Sequence, residues 1–482
     1  MNYRLISQIL GRVVALEAAL MLIPVLVSLY HGESIGHFVV TILLAAVLAL
    51  LLMRPKVRTR NFYAKEGFVT VAFSWISMAL IGALPFVFSG QIPSFVDALF
   101  ETVSGFTTTG ASIVPKVEDL SYGILLWRCL TIWLGGMGVL VFVMFVVPLS
   151  EEHSMHIMRA EMPGPTVGKL VPRIRKTAMI LYIIYTAMTI VMAILLRLGG
   201  MSWFDAVTHA MSTAGTGGFS NHGTSVAFFG SAYIEGVIGV FALLFGINFN
   251  LYYFLLIRHF RDAFCNEELR WYLGISAFAI VSIMVSLLVN GVYDNILTAF
   301  RYSGFQVASI ITTTGHVTAD FDLWPMYAKC MLLVLMVIGG CAGSTSGGIK
   351  VSRLMIMLKT VRNDVNHQIQ PRAVHTVKVN GAVISRATQH TTLIFLSLYV
   401  IIVFISTLLV SLDHMDFTST FTSVIACVGN VGPALGIAGP TGSYAGFSVL
   451  SKLVLTADML LGRLEILPIV MLFCPSLWKR SF

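Results

Sequence analysis

The feature that most constrains this chain is a short pattern that occurs four times. In each copy a small residue is followed six positions later by glycine, within a run of threonine, valine, alanine and glycine. The copies, called the glycine loops below, are residues 104–110 (SGFTTTG), 212–218 (STAGTGG), 309–315 (SIITTTG) and 426–432 (ACVGNVG). A short apolar stretch precedes each loop and a long one follows it. Because internal repetition indicates a repeated structural unit, four similar units are predicted.

The composition places these units in a membrane. Of the 482 residues, 57% are hydrophobic and only 11% are charged, whereas soluble proteins average about 25% charged residues. The first apolar run, residues 6–30, exceeds the apolar core of about 7–15 residues in a signal peptide, and we interpret it as a retained span. The six cysteines form no CxxC motif and no Cys/His cluster, which argues against a disulfide framework or a zinc site. The chain is predicted to be a polytopic membrane protein, and a soluble enzyme is excluded.

The positive charge of the chain is unevenly distributed. The formal net charge is +8, but most Lys and Arg residues lie near the termini and in alternate loops, at residues 54–65, 150–176, 258–270 and 350–386. Because cytoplasmic loops carry an excess of basic residues, these loops and both termini are predicted to be cytoplasmic. The bias therefore indicates topology and not nucleic-acid binding. The intervening loops hold Lys116, Arg128, Arg197, Arg301, Lys329 and Lys452.

Spans and short segments alternate in a regular order. Two apolar segments, residues 6–30 and 37–53, precede the first basic loop, and a span requires about 20 apolar residues. Each unit then has a long span, a short amphipathic segment, a glycine loop and a second long span. The first spans lie near residues 67–89, 177–198, 271–290 and 391–412. Each short segment begins with Ser, Asp or Asn, which favour N-cap positions, and is too short to cross. Since irregular backbone at membrane depth must be buried in protein or line a water-filled cavity, these segments are predicted to be re-entrant pore helices.

The predicted fold is an all-α polytopic membrane protein: four M1–pore loop–M2 repeats in a pseudo-fourfold arrangement, plus two N-terminal transmembrane helices. The predicted segments are residues 1–60 (N-terminal unit), 61–150, 151–265, 266–386 and 387–482 (the four repeats). A second landmark supports this alignment, because a glycine recurs in each second span, at Gly135, Gly246, Gly339 and Gly462. Helix, re-entrant loop and helix return the chain to its starting side. All four units are therefore expected to point the same way, unlike the inverted repeats of many secondary transporters.

The composition of the glycine loops is typical of a cation filter. Rings of backbone carbonyls can replace the water shell of a potassium ion, and glycine permits the left-handed backbone that aims successive carbonyls at one axis. The preceding helix directs its partially negative C-terminus at the same axis. The alternative is that such runs are small-residue packing faces between helices, which four copies in register disfavour. The predicted potassium-filter residues are Thr108, Thr109, Gly110, Gly217, Gly218, Thr313, Thr314, Gly315, Asn430, Val431 and Gly432.

The strings SGFTTTGAS, STAGTGGFSNH, TTTGHVTADF and CVGNVGPALG, together with the two-span lead, resemble the bacterial Trk/Ktr/HKT superfamily of potassium transporters. Within it, the chain is most similar to the TrkH/TrkG family of membrane subunits, over essentially its whole length. The resemblance implies potassium as the transported ion, held by backbone carbonyls, with no organic cofactor. It implies filter glycines at Gly110, Gly218, Gly315 and Gly432. The fourth loop departs from the others, with Ala426 where they carry Ser and Val428 where they carry Phe, Ala or Ile.

Residues 339–350 (GGCAGSTSGGIK), called the inner loop below, interrupt the third second span. An interior glycine costs a helix about 1 kcal/mol relative to alanine, and a phosphate-binding loop is excluded because GK[ST] is absent. The segment is interpreted either as a helix kink or as a flexible gate below the filter, and the resemblance implies the gate. The predicted gate residues are Gly339, Gly340, Gly343, Ser344, Thr345, Ser346, Gly347, Gly348, Lys350 and Arg463.

Arg463 follows the landmark Gly462 in an apolar helix. Because an arginine at the bilayer centre costs about 2.5–3.5 kcal/mol even on insertion scales, it is expected to face the pore or a partner. Asp458 and Glu465 are candidate partners in a purely structural ion pair. Alternatively, Arg463 places a positive charge on the cation path, and the resemblance implies this gating role.

The resemblance also implies partners. Cytosolic nucleotide-binding (NAD/ATP) regulatory subunits resembling TrkA are expected to bind the cytoplasmic loops 150–176 and 350–386. The chain itself contains no nucleotide motif. A homodimer in the bacterial inner membrane is expected.

Two alternative functions remain open at this point. One is a potassium symporter coupled to Na⁺ or H⁺, although no buried proton relay is evident. The other is a membrane enzyme, which would require a cluster of His, Asp, Glu or Cys. The 12 histidines are dispersed, and His209, His222 and His316, near the glycine loops, are interpreted as mouth residues or packing.

Overall fold

The computed structural model describes residues 1–55, 64–138, 174–372 and 376–475. Most of the predicted cytoplasmic loop 150–176 and most of the basic loop 54–65 lie outside these residues. The N-terminal unit comprises α1 (Tyr3–Leu20), α2 (Leu22–Tyr30) and α3 (Gly36–Met53). The predicted first span is thus two helices that meet at Met21. α1 and α3 pack closely, because a Cβ on Gly11 would lie only 2.9 Å from the Ala49 carbonyl oxygen.

After the N-terminal unit, the described helices divide in chain order into four units. The first unit is α4 (Ala64–Gly82), α5 (Leu84–Phe88), α6 (Phe95–Phe106) and α7 (Tyr122–Gly136). The second is α8 (Ile174–Leu198), α9 (Trp203–Ala214), α10 (Ala232–Phe245), α11 (Phe249–Leu256) and α12 (Phe260–Phe264). The third is α13 (Glu267–Val289), α14 (Ile296–Ile311), α15 (Met326–Ile338) and α16 (Val351–Ile369). A two-stranded hairpin, β1 (Lys378–Val379) and β2 (Ala382–Val383), precedes the fourth, which is α17 (Arg386–Val410), α18 (Phe417–Val428), α19 (Val449–Arg463) and α20 (Leu467–Leu472).

The long helices are suited to a membrane. Within the described residues, six helical segments are long and apolar enough to cross a bilayer, and a seventh is possible if α10 and α11, bent by 92°, count as one span. Large apolar side chains on these helices are exposed, for example Leu43, Phe278 and Phe404. Since soluble monomers rarely expose extensive apolar surface, the exposed faces are consistent with contact with lipid. The prediction of a polytopic, mostly helical membrane protein is confirmed.

The short helices α6, α9, α14 and α18 each begin with a capped end. The N-cap side chains accept a backbone N–H from the first turn and are Ser94, Ser202, Asn295 and Asp416. The expected N-caps are therefore confirmed. The helices have 12, 12, 16 and 12 residues, so at about 1.5 Å per residue they span less than a bilayer core of about 30 Å.

The landmark glycines lie at or beside the C-terminal ends of the second helices. α7 ends one residue after Gly135, Gly246 and Gly339 are the C-caps of α10 and α15, and Gly462 is the penultimate residue of α19. A Cβ on Gly135 would overlap the Phe106 carbonyl oxygen at the end of α6. A Cβ on Gly462 would likewise overlap the carbonyl oxygen of Val428, the last residue of α18. Glycine at Gly135 and Gly462 lets the second helix approach the main chain of the short helix in its own unit.

Candidate functional site

The four glycine loops share one hydrogen-bonding pattern. The carbonyl oxygen of the small first residue accepts the N–H of the residue five positions later, which turns the chain back over the end of the short helix. The pairs are Ser104 and Thr109 (2.8 Å), Ser212 and Gly217 (3.0 Å), Ser309 and Thr314 (2.8 Å), and Ala426 and Val431 (2.8 Å). All four small residues are buried, so a larger side chain there would displace the loop. The burial of this position gives a physical reason for the recurring small residue.

The loops also share their backbone conformation. Two positions in each loop have a positive φ: the last glycine and the residue two before it. The earlier residues are Thr108 (56°), Thr216 (56°), Thr313 (56°) and Asn430 (53°). The glycines are Gly110 (78°), Gly218 (70°), Gly315 (78°) and Gly432 (94°). A left-handed conformation costs a residue with a side chain roughly 1–2 kcal/mol, so surrounding contacts must hold the earlier position in place.

The four glycines form a closed ring. A Cβ built on Gly110 would overlap the carbonyl oxygen of Gly217, which precedes the glycine of the second loop. The same relation connects the remaining loops in turn. The further pairs are Gly218 with Thr314, Gly315 with Val431, and Gly432 with Thr109. The last pair returns to the first loop. The predicted filter residues therefore lie together, and each glycine leaves room for a carbonyl of its neighbour.

An open cavity adjoins this ring, and its empty space, including the part open to solvent, is about 690 Å³. All four ring glycines line it, as do the segments that follow each loop, including Val317 and Tyr444. The Tyr444 hydroxyl donates a hydrogen bond to the Gly432 carbonyl oxygen (2.7 Å). An ion could therefore reach the ring directly from this cavity.

Side chains behind the ring support it. The hydroxyls of Thr107 and Thr109 share a hydrogen bond of 2.8 Å, and those of Thr312 and Thr314 share another of 2.8 Å. The Asn430 amide donates to the Thr109 hydroxyl (3.0 Å) and thereby connects the fourth loop to the first. The predicted site omitted Thr107, Thr312 and Thr216. The alignment could have identified Thr216, which stands two positions before Gly218 as Thr108 does before Gly110.

The inner loop lies against one side of the ring. α15 ends at Ile338 and α16 begins at Val351, so residues 339–350 form a loop between two helices and not a kink within one. The Gly347 N–H donates to the Thr313 hydroxyl (2.6 Å), and the Gly348 N–H donates to the Gly429 carbonyl oxygen (2.9 Å). The third and fourth glycine loops therefore contact the inner loop directly.

On its other side the inner loop packs against the bend between α10 and α11. The Cys341 N–H donates to the Gly246 carbonyl oxygen (3.0 Å), and the Phe249 N–H donates to the Gly343 carbonyl oxygen (3.0 Å). Within the loop, the Lys350 ammonium donates to the Ser346 carbonyl oxygen, and Lys350 is itself buried. The loop is thus held between the second, third and fourth units.

Arg463 connects the inner loop to the first unit. Its guanidinium donates to the carbonyl oxygens of Thr345 (2.8 Å), Gly136 (2.6 Å) and Gly135. The two acidic residues expected as candidate partners make other contacts. Asp458 accepts the Ser406 hydroxyl (2.7 Å), and Glu465 forms an ion pair with Arg353. Arg463 thus joins units one, three and four.

Basic residues outside the predicted cytoplasmic loops bridge neighbouring units. The pair of Arg128 with Glu101 is buried on both sides, and the Arg128 guanidinium lies 4.1 Å from the ring centroid of Phe219 in the second unit. Arg301 of the third unit pairs with Glu235 of the second (2.6 Å), and Lys452 of the fourth pairs with Asp97 of the first (2.6 Å). These three exceptions to the charge asymmetry therefore have a structural explanation.

Outside the spans, Glu118 also connects the first and second units. Its carboxylate accepts the Gly223 N–H at 2.6 Å. This hydrogen bond lowers the pKa of the Glu118 carboxyl below its usual value.

The three histidines near the loops come together, although they belong to different segments. The ring centroid of His209 lies 5.7 Å from that of His316 and 6.4 Å from that of His222. His209 and His316 are fully buried, whereas His222 lines the cavity. His209 and His316 are therefore packing residues, and His222 lies at the mouth of the cavity. Among the described residues, no group of three or more His, Cys, Asp or Glu could hold a metal ion.

The sequence of this chain is similar to those of known transport proteins. The family model TrkH, described as a cation transport protein, matches residues 33–480. The Trk system potassium uptake protein TrkH of Salmonella typhimurium is 35% identical, with 100% of each chain covered. The Trk system potassium uptake protein TrkG of Escherichia coli (strain K12) is 32% identical, with 99% of each chain covered.

A solved structure has the same fold as this chain. The crystal structure of the potassium transporter TrkH from Vibrio parahaemolyticus matches with a TM-score of 0.91 and 32% sequence identity, covering 99% of this chain and 100% of that one. The family resemblance inferred from the loop strings is confirmed, and the alternative of a membrane enzyme is excluded because these relatives are transport proteins. Over nearly its whole length, the chain belongs to the TrkH family of cation transport proteins.

Proposed function

We propose that this chain takes up potassium ions across the bacterial inner membrane, through a selectivity filter formed by the four glycine loops. The observation that carries the proposal is the closed ring of loops, with one backbone conformation in all four. The relatives named as potassium uptake proteins support it. The four units are then M1–pore loop–M2 repeats around a pseudo-fourfold axis, with the 690 Å³ cavity outside and both termini in the cytoplasm.

The filter chemistry follows from main-chain oxygens. A potassium ion entering the ring loses water, and carbonyl oxygens replace the lost ligands. Alternating left-handed residues turn successive carbonyls towards one side of the chain. The C-terminal ends of α6, α9, α14 and α18 add partial negative charge at the same place. Potassium is the transported ion, and the chemistry requires no organic cofactor.

Below the filter, the inner loop and Arg463 form the gate. The loop contacts Thr313 and Gly429 at the base of the ring, where it would obstruct an ion leaving the filter. The guanidinium of Arg463 adds a positive charge near this path, and charge in a membrane interior is poorly screened. Opening would require the loop to release Thr313 and Arg463 to release Thr345.

A regulatory partner would control the gate from the cytoplasm. α16 begins at the end of the inner loop and leads towards the predicted cytoplasmic surface, so a displacement of α16 would pull the loop. A nucleotide-binding subunit of the TrkA type, acting on a homodimer of this chain, fits this arrangement, with residues 350–386 as part of the docking surface.

The test is rubidium uptake into proteoliposomes of the purified chain, with sodium as competitor. Gly315→Ser should abolish the discrimination between the two ions, because the added side chain would overlap Val431 of the next loop. Gly291→Ser is the matched control, since Gly291 also has a positive φ (67°) but no neighbour within 4 Å. Equal behaviour of the two variants would contradict the filter. Dependence on an imposed sodium or proton gradient would favour a symporter.

A further inference from the structure

Glu268 occupies an unusual position relative to the inner loop. It is the second residue of α13, and its side chain is buried, with 8% of the residue exposed. One carboxylate oxygen, Oε1, accepts the backbone N–H of Ala342 (2.6 Å) and that of Ser352 (3.1 Å). Ala342 lies near the start of the inner loop, and Ser352 is the second residue after its end. A single oxygen thus holds both ends of the loop.

The contact with Ser352 also completes α16. The first N–H groups of a helix have no partner within it, and the side chain of Lys350, the N-cap residue of α16, does not cap them. A carboxylate there also interacts favourably with the helix dipole. α16 therefore receives its cap from α13, a helix that is distant in sequence.

We propose that Glu268 is a positioning residue that keeps the inner loop against the glycine loops. Hydrogen bonds to a charged acceptor are stronger than neutral ones, and here two of them close one loop. Loss of the charge would free Ala342 and the start of α16 together. The loop would then leave Thr313 and Gly429 more often. The gating consequence rests on the proposed function, whereas the positional claim does not.

The Cys341 thiol can be used to measure the position of the inner loop. Cys341 is adjacent to Ala342 and only 1% exposed. Its thiol should become reachable from the cytoplasmic side when the loop moves. Cys129 and Cys427 are also buried, but outside the inner loop. They report general loosening of the fold. Cys265 lies in the predicted cytoplasmic loop 258–270, is exposed and should react rapidly in every variant. Cys330 is exposed on the apolar helix α15, where lipid should keep its reaction slow.

The neighbouring residue provides a matched control. Glu267 pairs with Lys359 and accepts the Asn380 N–H (3.2 Å). These contacts lie outside the inner loop. Glu267→Gln removes the same charge from the same turn of α13 while leaving the loop contacts in place.

The experiment is thiol labelling of the full chain in lipid nanodiscs with a maleimide, followed by peptide mass spectrometry at each cysteine. Glu268→Gln should raise the Cys341 labelling rate by about tenfold or more, as expected when charge-assisted hydrogen bonds are weakened. Cys129 and Cys427 should remain as slow as in the wild type. Glu267→Gln should label like the wild type. Glu268→Asp, which keeps the charge but shortens the side chain, should give an intermediate rate and serves if the Gln variant does not fold.

An unchanged Cys341 rate in both Glu268 variants would overturn the proposal, as would an equal rise at Cys129 and Cys427. Rubidium uptake by the same samples separates the two claims. Faster uptake with unchanged preference for rubidium over sodium supports a clamp that acts on a gate. Faster labelling with unchanged uptake supports the clamp but contradicts the gating part of the proposed function.

Discussion

The ring of glycine loops and the region directly beneath it are built in opposite ways. In the ring, the left-handed residues before the glycines have φ values between 53° and 56°, and each loop repeats the same hydrogen bond. Beneath the ring each unit contributes something different. The third provides the inner loop, the fourth Arg463, the first two acceptor carbonyls, and the second the bend at Gly246.

This difference has a physical reason. In the proposed filter, an ion that has lost its water needs ligands on all sides, and equivalent carbonyls from four units would supply them. The proposed gate needs only one element that occupies the path and can leave it. Four identical gates would have to move together, whereas one loop held by the other units can respond to one partner.

The largest effect is expected from a methyl group placed in the ring, which tests whether the four loops are equivalent. Gly110→Ala, Gly218→Ala, Gly315→Ala and Gly432→Ala should each reduce selective rubidium uptake by at least about 100-fold, since overpacking a rigid site costs about 1–3 kcal/mol or more in addition to the strain of a positive φ. The overlap is deepest at Gly110 and shallowest at Gly432, so Gly432→Ala should retain the most activity.

Gly90→Ala is the control for the ring variants. Gly90 has a φ of 73° but no neighbour within 4 Å. It reproduces the backbone strain without the overlap, and uptake should remain near the wild-type level. A ring variant that transports normally would show that the four loops are not equivalent.

A second test concerns the ion pairs made by Arg128 and Lys452. Glu101→Gln should lower the free energy of unfolding by about 3–5 kcal/mol, because removing one partner leaves Arg128 buried without its counter-charge. Asp97→Asn, in the more exposed pair with Lys452, should cost no more than about 1 kcal/mol. Thermal unfolding followed by tryptophan fluorescence measures both. Similar losses in the two variants would contradict the assigned difference in burial.

Arg463→Gln tests the lower region. It removes the charge that holds Thr345 and the end of α7, and charged hydrogen bonds contribute about 1.5–3 kcal/mol each. We expect rubidium flux to rise about tenfold without a change in ion preference, as measured in proteoliposomes. Arg197→Gln is the control, since Arg197 also donates to a main-chain carbonyl, that of Met201 (2.8 Å), outside the gate. A changed preference would place Arg463 in the filter instead.

The smallest expected effect is at Glu118. Its pKa is lowered in the folded protein by the Gly223 N–H, so the unfolded chain binds a proton more readily. The stability it contributes is fully present above its ordinary pKa of 4.5 and is lost as the pH falls through the lower folded pKa. The wild type should therefore lose slightly more stability than Glu118→Gln between pH 7 and pH 4, by less than about 1 kcal/mol. Equal losses would show that the link is unimportant.

Local physics explains what could be predicted from the sequence. Capping residues, glycines at positive φ and long apolar runs act within a few residues of themselves, so the short helices, the loops and most first spans could be located in advance. The recurrence of the small residue at the start of each loop was visible too, although its role as the acceptor of the N–H five positions on was not.

What remained beyond prediction depends on contacts between distant residues. Sequence spacing could suggest Asp458 or Glu465 as acidic partners of Arg463, but the acceptors at Gly135 and Thr345 lie more than 100 positions away. The Glu268 contacts and the meeting of His209 with His316 are of the same kind. The repeated unit follows from local backbone preferences and is therefore visible in the sequence. The closed ring and the contacts beneath it depend on main-chain carbonyls, which are alike at every position of a sequence and become specific partners only in the folded chain.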